Sequence, residues 1–162
     1  MSIAAAGSKR SSLIIIGVDL VLTMVFVGTA IYAAVVNTTS ARWVGVIGAM
    51  VTFAVGVVAA IWSYSIAYQI SQTREVLARH LYLLIGHGIP HSVKRVLNSA
   101  LAAQILVAVA TMVARPTGPD GSPGTSLAVG CIVPVFGLGM NAWWVISHVE
   151  FAPRRRRSSP SP

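Results

Sequence analysis

The residues of this chain best suited to chemistry are four polar side chains set in apolar sequence: Asp19, Gln104, Asn141 and Ser63. Asp19 is the sharpest candidate, because a carboxylate at the centre of a membrane helix costs about 2.5–3.5 kcal/mol, and somewhat less near a helix end. The other three fall at comparable depths in the other apolar stretches. We therefore expect the four to form one polar layer. Such a layer has three possible roles. It joins the helices through hydrogen bonds, it forms a path for a proton, ion or substrate, or it contacts a partner subunit.

The elements that must position this layer are four long apolar stretches, at about 13–36, 43–67, 96–114 and 126–146. A helix needs roughly 20 mostly apolar residues to cross a bilayer. The chain of 162 residues is 55% hydrophobic and 10% charged, whereas soluble domains carry about 25% charged residues. These features predict an all-α membrane protein, an antiparallel four-helix transmembrane bundle forming one domain over 1–152. A basic, disordered tail is expected over 153–162.

The net charge of +8 is explained by membrane topology rather than by nucleic acid, because no nucleic-acid motif accompanies it. Only Arg42 and Arg115 fall in the two connections predicted to be external. The other ten basic residues lie on the opposite side: Lys9, Arg10, Arg74, Arg79, Lys94, Arg95, Arg154, Arg155, Arg156 and Arg157. Both termini are therefore expected in the cytoplasm, and the Ala-, Val-, Gly- and Arg-rich composition points to a bacterial plasma membrane. A cleaved signal peptide is the alternative for the first stretch, although the usual apolar core has only about 7–15 residues.

The arginine run at 154–157 lies beside the predicted inner face of the membrane. It is most simply a signal that stops transfer and fixes orientation. The same four guanidinium groups would also attract anionic lipid headgroups, by about 1 kcal/mol per charge. We therefore count the bilayer with its anionic headgroups as a predicted partner.

Span two contains small residues four apart, at Gly48, Thr52, Gly56 and Ala60. Such a stripe allows another helix to approach closely. Inside the bundle it would seat span one or span three, whereas exposed to lipid it would be a dimer face.

Span four contains a second irregularity, at Pro134, Gly137 and Gly139. Proline removes a backbone donor and clashes with the preceding turn, so a kink is expected. The three residues are either a functional hinge, as broken helices are in transporter sites, or the ordinary Pro and Gly of a membrane helix.

Between spans two and three, apolar residues at helical spacing predict a cytoplasmic amphipathic helix over about Ser71–Ile85. It either projects into the cytoplasm or lies in the membrane interface.

Metal and cofactor chemistry is not expected. His87 and His91 are separated by Gly88 and Pro90, no carboxylate or further cysteine joins them, and Cys131 stands alone. No hydrolase, phosphate-loop or zinc motif is present, so no catalytic residue is assigned and an enzyme is not expected.

The leading hypothesis is a non-catalytic accessory or scaffold subunit of a larger membrane assembly, with a membrane-protein partner or a second copy of the chain. The alternative is a small proton- or cation-coupled transporter that uses Asp19. Four spans with an acid in the first resemble the small multidrug resistance family in topology alone. That family uses Glu, is shorter and lacks the long cytoplasmic connection. An enzyme subunit that binds quinone or haem ranks last.

Overall fold

The computed structural model describes residues 2–74, 78–85 and 88–151, and over these ranges it is helical with connecting loops. Four segments are long and apolar enough to cross a membrane, as judged by length and composition. This confirms the expectation of a multi-pass, all-helical chain. The elements are α1 (Ser2–Val36), α2 (Thr39–Ser71), α3 (Ala78–Tyr82), α4 (His91–Ala114), a 3₁₀ segment (Ser126–Ile132) and α5 (Pro134–His148).

The turn between α1 and α2 is only two residues long, and its sequence explains why. Asn37 adopts a left-handed conformation with φ 52°, which Asn tolerates better than most residues. Thr38 then caps α2, because its hydroxyl accepts a hydrogen bond from the Ala41 amide at 3.3 Å.

The fourth span is the central one: more than half of its apolar window is buried, against about a third or less for the other three. It packs most extensively on α2. At this crossing a Cβ on Gly56 would fall 2.2 Å from the Phe136 Cα atom, and one on Gly139 would fall 2.5 Å from the Gly56 carbonyl oxygen. Glycine is therefore required at both positions for the two backbones to approach so closely.

Contacts between helices show their relative directions. Along α1 and α2, Gly45 lies against Ala33 and Gly48 against Thr29, so the two helices run in opposite directions.

Along α1 and α4, by contrast, Thr23 pairs with Gln104 and Ala34 with Arg115. Both numbers rise together, so these two helices run in the same direction.

The small-residue stripe of α2 is divided between two partners. Gly48 faces Thr29 of α1, whereas Gly56 and Ala60 face α5. Thr52 is 1% exposed and donates to the Gly48 carbonyl of its own helix. The main partner is therefore span four, whereas the small-residue pattern predicted span one or span three.

The amphipathic helix expected over Ser71–Ile85 is wrong in its extent. Residues 72–74 and 83–85 are not helical, and among the described residues of this stretch helix α3 spans Ala78–Tyr82. Leu84 ends the segment with φ 55° and is 1% exposed, and Leu81 is also buried. These leucines pack in the same core cluster as Met140 of α5. The backbone conformation at Leu84 therefore follows from the burial of its side chain and not from the helical spacing of the apolar residues.

Pro134 does not interrupt an α-helix; it begins one. Because proline lacks an N–H group, the Gly130 carbonyl accepts instead from the Val133 amide at 3.0 Å. The chain before Pro134 is consequently a 3₁₀ segment, and α5 starts with proline in its first turn, a position where it is well tolerated.

Candidate functional site

All four residues of the expected polar layer are enclosed by the protein. Asp19, Ser63 and Asn141 are each 1% exposed and Gln104 is 0% exposed. Each comes from a different long helix. No hydrogen bond joins any two of the four in the part of the chain that the structure describes.

Gln104 is held by a partner that sequence reasoning missed. Its Nε2 donates to the Thr23 hydroxyl at 2.7 Å, across 81 positions of sequence. Thr23 is 5% exposed and lies one turn after Asp19, on the same face of α1. The four-residue spacing from Asp19 was the signal that could have found it.

Asn141 binds the connection between spans two and three. Its Nδ2 donates to the Tyr82 carbonyl at 2.8 Å and to Asn98 Oδ1 at 3.4 Å. Asn98 in turn donates to the Leu83 carbonyl at 3.5 Å. The last carbonyls of a helix have no partner within the helix. Here two Asn amides supply donors at the end of α3.

Asp19 differs from both amides, because neither of its carboxylate oxygens has a hydrogen-bond partner. Ser63 is similar: its buried hydroxyl makes no hydrogen bond, whereas Ser65 donates to a carbonyl of its own helix. The carbonyl oxygens Gln104 Oε1 and Asn141 Oδ1 are also buried and unpartnered. A buried polar group without a partner costs about 1–3 kcal/mol, and a charged group costs more.

Gln104 and Asn141 are offset along the helix axes, and the four buried residues Asp19, Ser63, Gln104 and Asn141 are together called the polar track below. Asn141 pairs with Asn98 of α4, six residues before Gln104. Six helical residues rise about 9 Å, so the two amides lie at different depths. Gly137, one turn before Asn141, faces Gln104: a Cβ there would fall 2.7 Å from Gln104 Oε1. Gly137 therefore makes room for the Gln104 side chain, and Gly139 makes room for α2.

The chemistry open to this track is that of oxygen acceptors. Four of its five unpartnered atoms are carboxylate or amide oxygens, and the fifth is a hydroxyl oxygen. Such a set suits a proton or a hard cation. No group of three His, Cys, Asp or Glu residues that could hold a metal ion occurs in the described ranges.

A second buried polar centre lies at the opposite end of the helices. Arg42 is 4% exposed and donates from Nε and Nη2 to Asn37 Oδ1, at 3.0 and 2.8 Å. It also donates from Nη2 to the Thr117 carbonyl and from Nη1 to the Thr125 hydroxyl. Arg42 thus joins the α1–α2 turn to the connection before the 3₁₀ segment. Its sequence signal was an isolated arginine in a very short loop.

Asp120, on the exposed loop near Arg42, has a pKa lowered from its usual 3.8. The chief cause is the hydrogen bond from the Ser122 hydroxyl at 2.7 Å, and the Ser122 backbone amide adds a second bond at 3.2 Å. The charge of Arg42 contributes least. Asp120 is therefore bound to its own loop rather than to Arg42.

The arginines 154–157, with their expected headgroup contacts, lie outside the described residues, as does His87. His148 stacks on Trp144 with ring centroids 4.8 Å apart, and its Nε2 lies 3.1 Å from the Ser11 hydroxyl. The ring stacking is therefore within α5, and the hydrogen bond joins α5 to Ser11 of α1.

Comparison with known proteins found no family model, no curated protein and no solved structure that matches this chain.

Proposed function

We propose that this chain is a small multi-pass protein of a bacterial plasma membrane and a non-catalytic accessory subunit of a larger membrane assembly. The observation that carries the proposal is the enclosure of the polar track, since its four residues are at most 1% exposed. None of the four lines the groove at Val58, the cavity at Arg42 or the small void at Phe26.

The proposed architecture is an antiparallel four-helix transmembrane bundle with both termini in the cytoplasm. The opposed directions of α1 and α2 and the common direction of α1 and α4 support it. The outer surface supports it too, because large apolar side chains face outward on three of the spans. Each of the following is at least 67% exposed: Leu13, Met24, Val58, Leu106 and Val113. In water such an apolar surface would promote aggregation, whereas in lipid it is the expected outer surface of the protein.

The partner of the proposed subunit is a transmembrane helix of another protein, seated in a groove of about 420 Å³ beside α2 and α5. The groove is lined by small residues, Ala54 and Ala59, by the larger Val58, and by two tryptophans, Trp62 and Trp143. Small residues allow a second helix to approach, and the indoles add apolar contact area.

The test is purification in a gentle detergent, with wild type compared with Val58→Trp. We expect a stoichiometric companion that Val58→Trp removes, because the indole would fill the groove. Val46→Trp, on the same helix but at the Arg42 cavity, is the matched control and should retain the companion. A wild-type chain purified alone, or a companion retained by Val58→Trp, would contradict the accessory role.

The second candidate function is proton- or cation-coupled transport, and one observation favours it. Hydrogen bonding between helices accounts for the Gln104 and Asn141 amides but leaves both oxygens of Asp19 unpaired. Ionisable groups inside a membrane are functional candidates by default. A transporter would need a further conformation in which Asp19 is reached from one side of the membrane.

This candidate is tested in proteoliposomes that carry a pH-sensitive dye. If Asp19 carries the ion, Asp19→Asn abolishes flux, Asp19→Glu retains part of it, and the exposed-site control Ser65→Ala leaves it unchanged. Equal flux in wild type and Asp19→Asn would remove this candidate without affecting the accessory role.

A further inference from the structure

The cavity at Arg42 is distinct from the polar track. It has a volume of about 340 Å³ and lies between the start of α2, the loop around Pro119 and the 3₁₀ segment. That volume is within the range of small-molecule sites, about 300–1,000 Å³. The cavity opens outward, because Trp43 is 61% exposed and Pro119 and Ser126 are also exposed.

The cationic group of the cavity lacks an anionic partner. All the acceptors of Arg42 are neutral: an amide oxygen, a carbonyl and a hydroxyl. Arg42 forms no ion pair with any described carboxylate, and Asp120 bonds to Ser122 instead. A guanidinium group has five N–H donors. The four bonds from Arg42 leave one N–H on Nη1 free to bind a ligand.

The remaining walls are mostly apolar, formed by Trp43, Val46 and Val129. An inorganic anion would meet one donor and otherwise lose its hydration to these walls. An amphiphile would place its anionic head at Arg42 and cover the apolar side chains with its hydrocarbon part.

We propose that the Arg42 cavity binds one anionic phospholipid, with the phosphodiester at the Arg42 guanidinium and the acyl chains along Trp43 and Val46. The position at the ends of the apolar helices places the headgroup at the bilayer surface. A planar guanidinium is well suited to phosphate oxygens, and an adjacent indole is typical of the membrane interface. The proposal depends on the membrane placement and is independent of both candidate functions.

The experiment is native mass spectrometry of the intact chain in micelles with equal amounts of phosphatidylglycerol and phosphatidylcholine. We expect one phosphatidylglycerol to be retained with a preference of about fivefold, the size expected of one cation at a membrane surface. Arg42→Gln should reduce the preference to parity. Val46→Trp should also reduce the preference to parity, because the indole would fill the cavity while every hydrogen bond of Arg42 stays in place. This second variant tests the proposal even if Arg42→Gln fails to fold.

The matched control is Val58→Trp, which fills the other groove of α2 and should leave the preference unchanged. Added inorganic phosphate should not displace the lipid. Equal retention of the two lipids by wild type would overturn the proposal, and so would a preference that survives Val46→Trp. Displacement by inorganic phosphate would assign the cavity to a soluble anion instead.

Discussion

The guanidinium of Arg42 and the carboxylate of Asp19 are both almost completely enclosed, at 4% and 1% exposure. Arg42 donates four hydrogen bonds, whereas both oxygens of Asp19 have no partner. Arg42 lies in the first turn of α2, where the α1–α2 turn and the connection before the 3₁₀ segment supply acceptors. Asp19 lies among helices whose carbonyls and amides are already bonded to one another. A loop can supply partners for a buried charge, but the middle of a helix packing surface cannot unless another side chain does so.

The largest effect on stability is expected from Arg42→Met. Met keeps much of the length of the side chain but removes every donor, so Asn37 Oδ1 and the Thr117 carbonyl lose their partner. We expect a loss of about 3 kcal/mol in the free energy of unfolding, measured by titration with denaturing detergent in mixed micelles. Arg95→Met, at an exposed arginine of α4, should change stability by less than about 0.5 kcal/mol. Similar losses in both variants would mean that the hydrogen bonds of Arg42 contribute little.

The opposite sign is expected at Asp19. Asp19→Asn keeps the size of the side chain, removes the ionisable group and breaks no hydrogen bond, because Asp19 makes none. The free energy of unfolding should therefore rise by about 1 kcal/mol in the same titration. A loss of stability of that size would show that the carboxylate has a stabilising partner after all.

A smaller effect is expected for the bond between Gln104 and Thr23. In a double-mutant cycle of Gln104→Leu and Thr23→Val, we expect a coupling energy of about 0.6 kcal/mol, typical of hydrogen bonds between membrane helices. The control cycle combines Gln104→Leu with Thr29→Val, because Thr29 donates only to carbonyls of its own helix. Equal coupling in the two cycles would contradict a specific Gln104–Thr23 bond.

The smallest effect concerns Asp120, the acidic residue that does have donors. Because the Ser122 bonds lower its pKa, they stabilise the fold above the usual value of 3.8, and this stabilisation is lost as pH falls through the pKa of the folded state. Wild type should be slightly more stable than Ser122→Ala at neutral pH, and the two should converge in acid. Thermal unfolding at several pH values measures this, and a difference that grows in acid would be contrary to the expected sign.

Several features of the candidate site could be predicted from the sequence. The burial of Asp19, Gln104, Asn141 and Ser63 was predicted from their positions in apolar stretches, and all four are buried. Their common depth was not, because Gln104 and Asn141 are offset along the helix axes. The pairings could not be predicted: the spacing from Asp19 places Thr23 on the inner face of α1, but its pairing with Gln104, and that of Asn141 with the Tyr82 carbonyl, depend on the packing of distant elements. The helix expected at Ser71–Ile85 shows the same limit, since its periodicity contains no information about the core into which Leu84 is buried.

The amino-acid sequence alone determined that this chain forms four long apolar helices, because hydropathy and length are properties of each segment by itself. Tertiary structure decided which buried polar groups have partners, which helices the small-residue stripe of α2 contacts, and that α5 begins at Pro134. The physical reason is that the hydrophobic effect acts on any apolar surface, whereas hydrogen bonds and close backbone contacts require two particular groups to meet at about 3 Å.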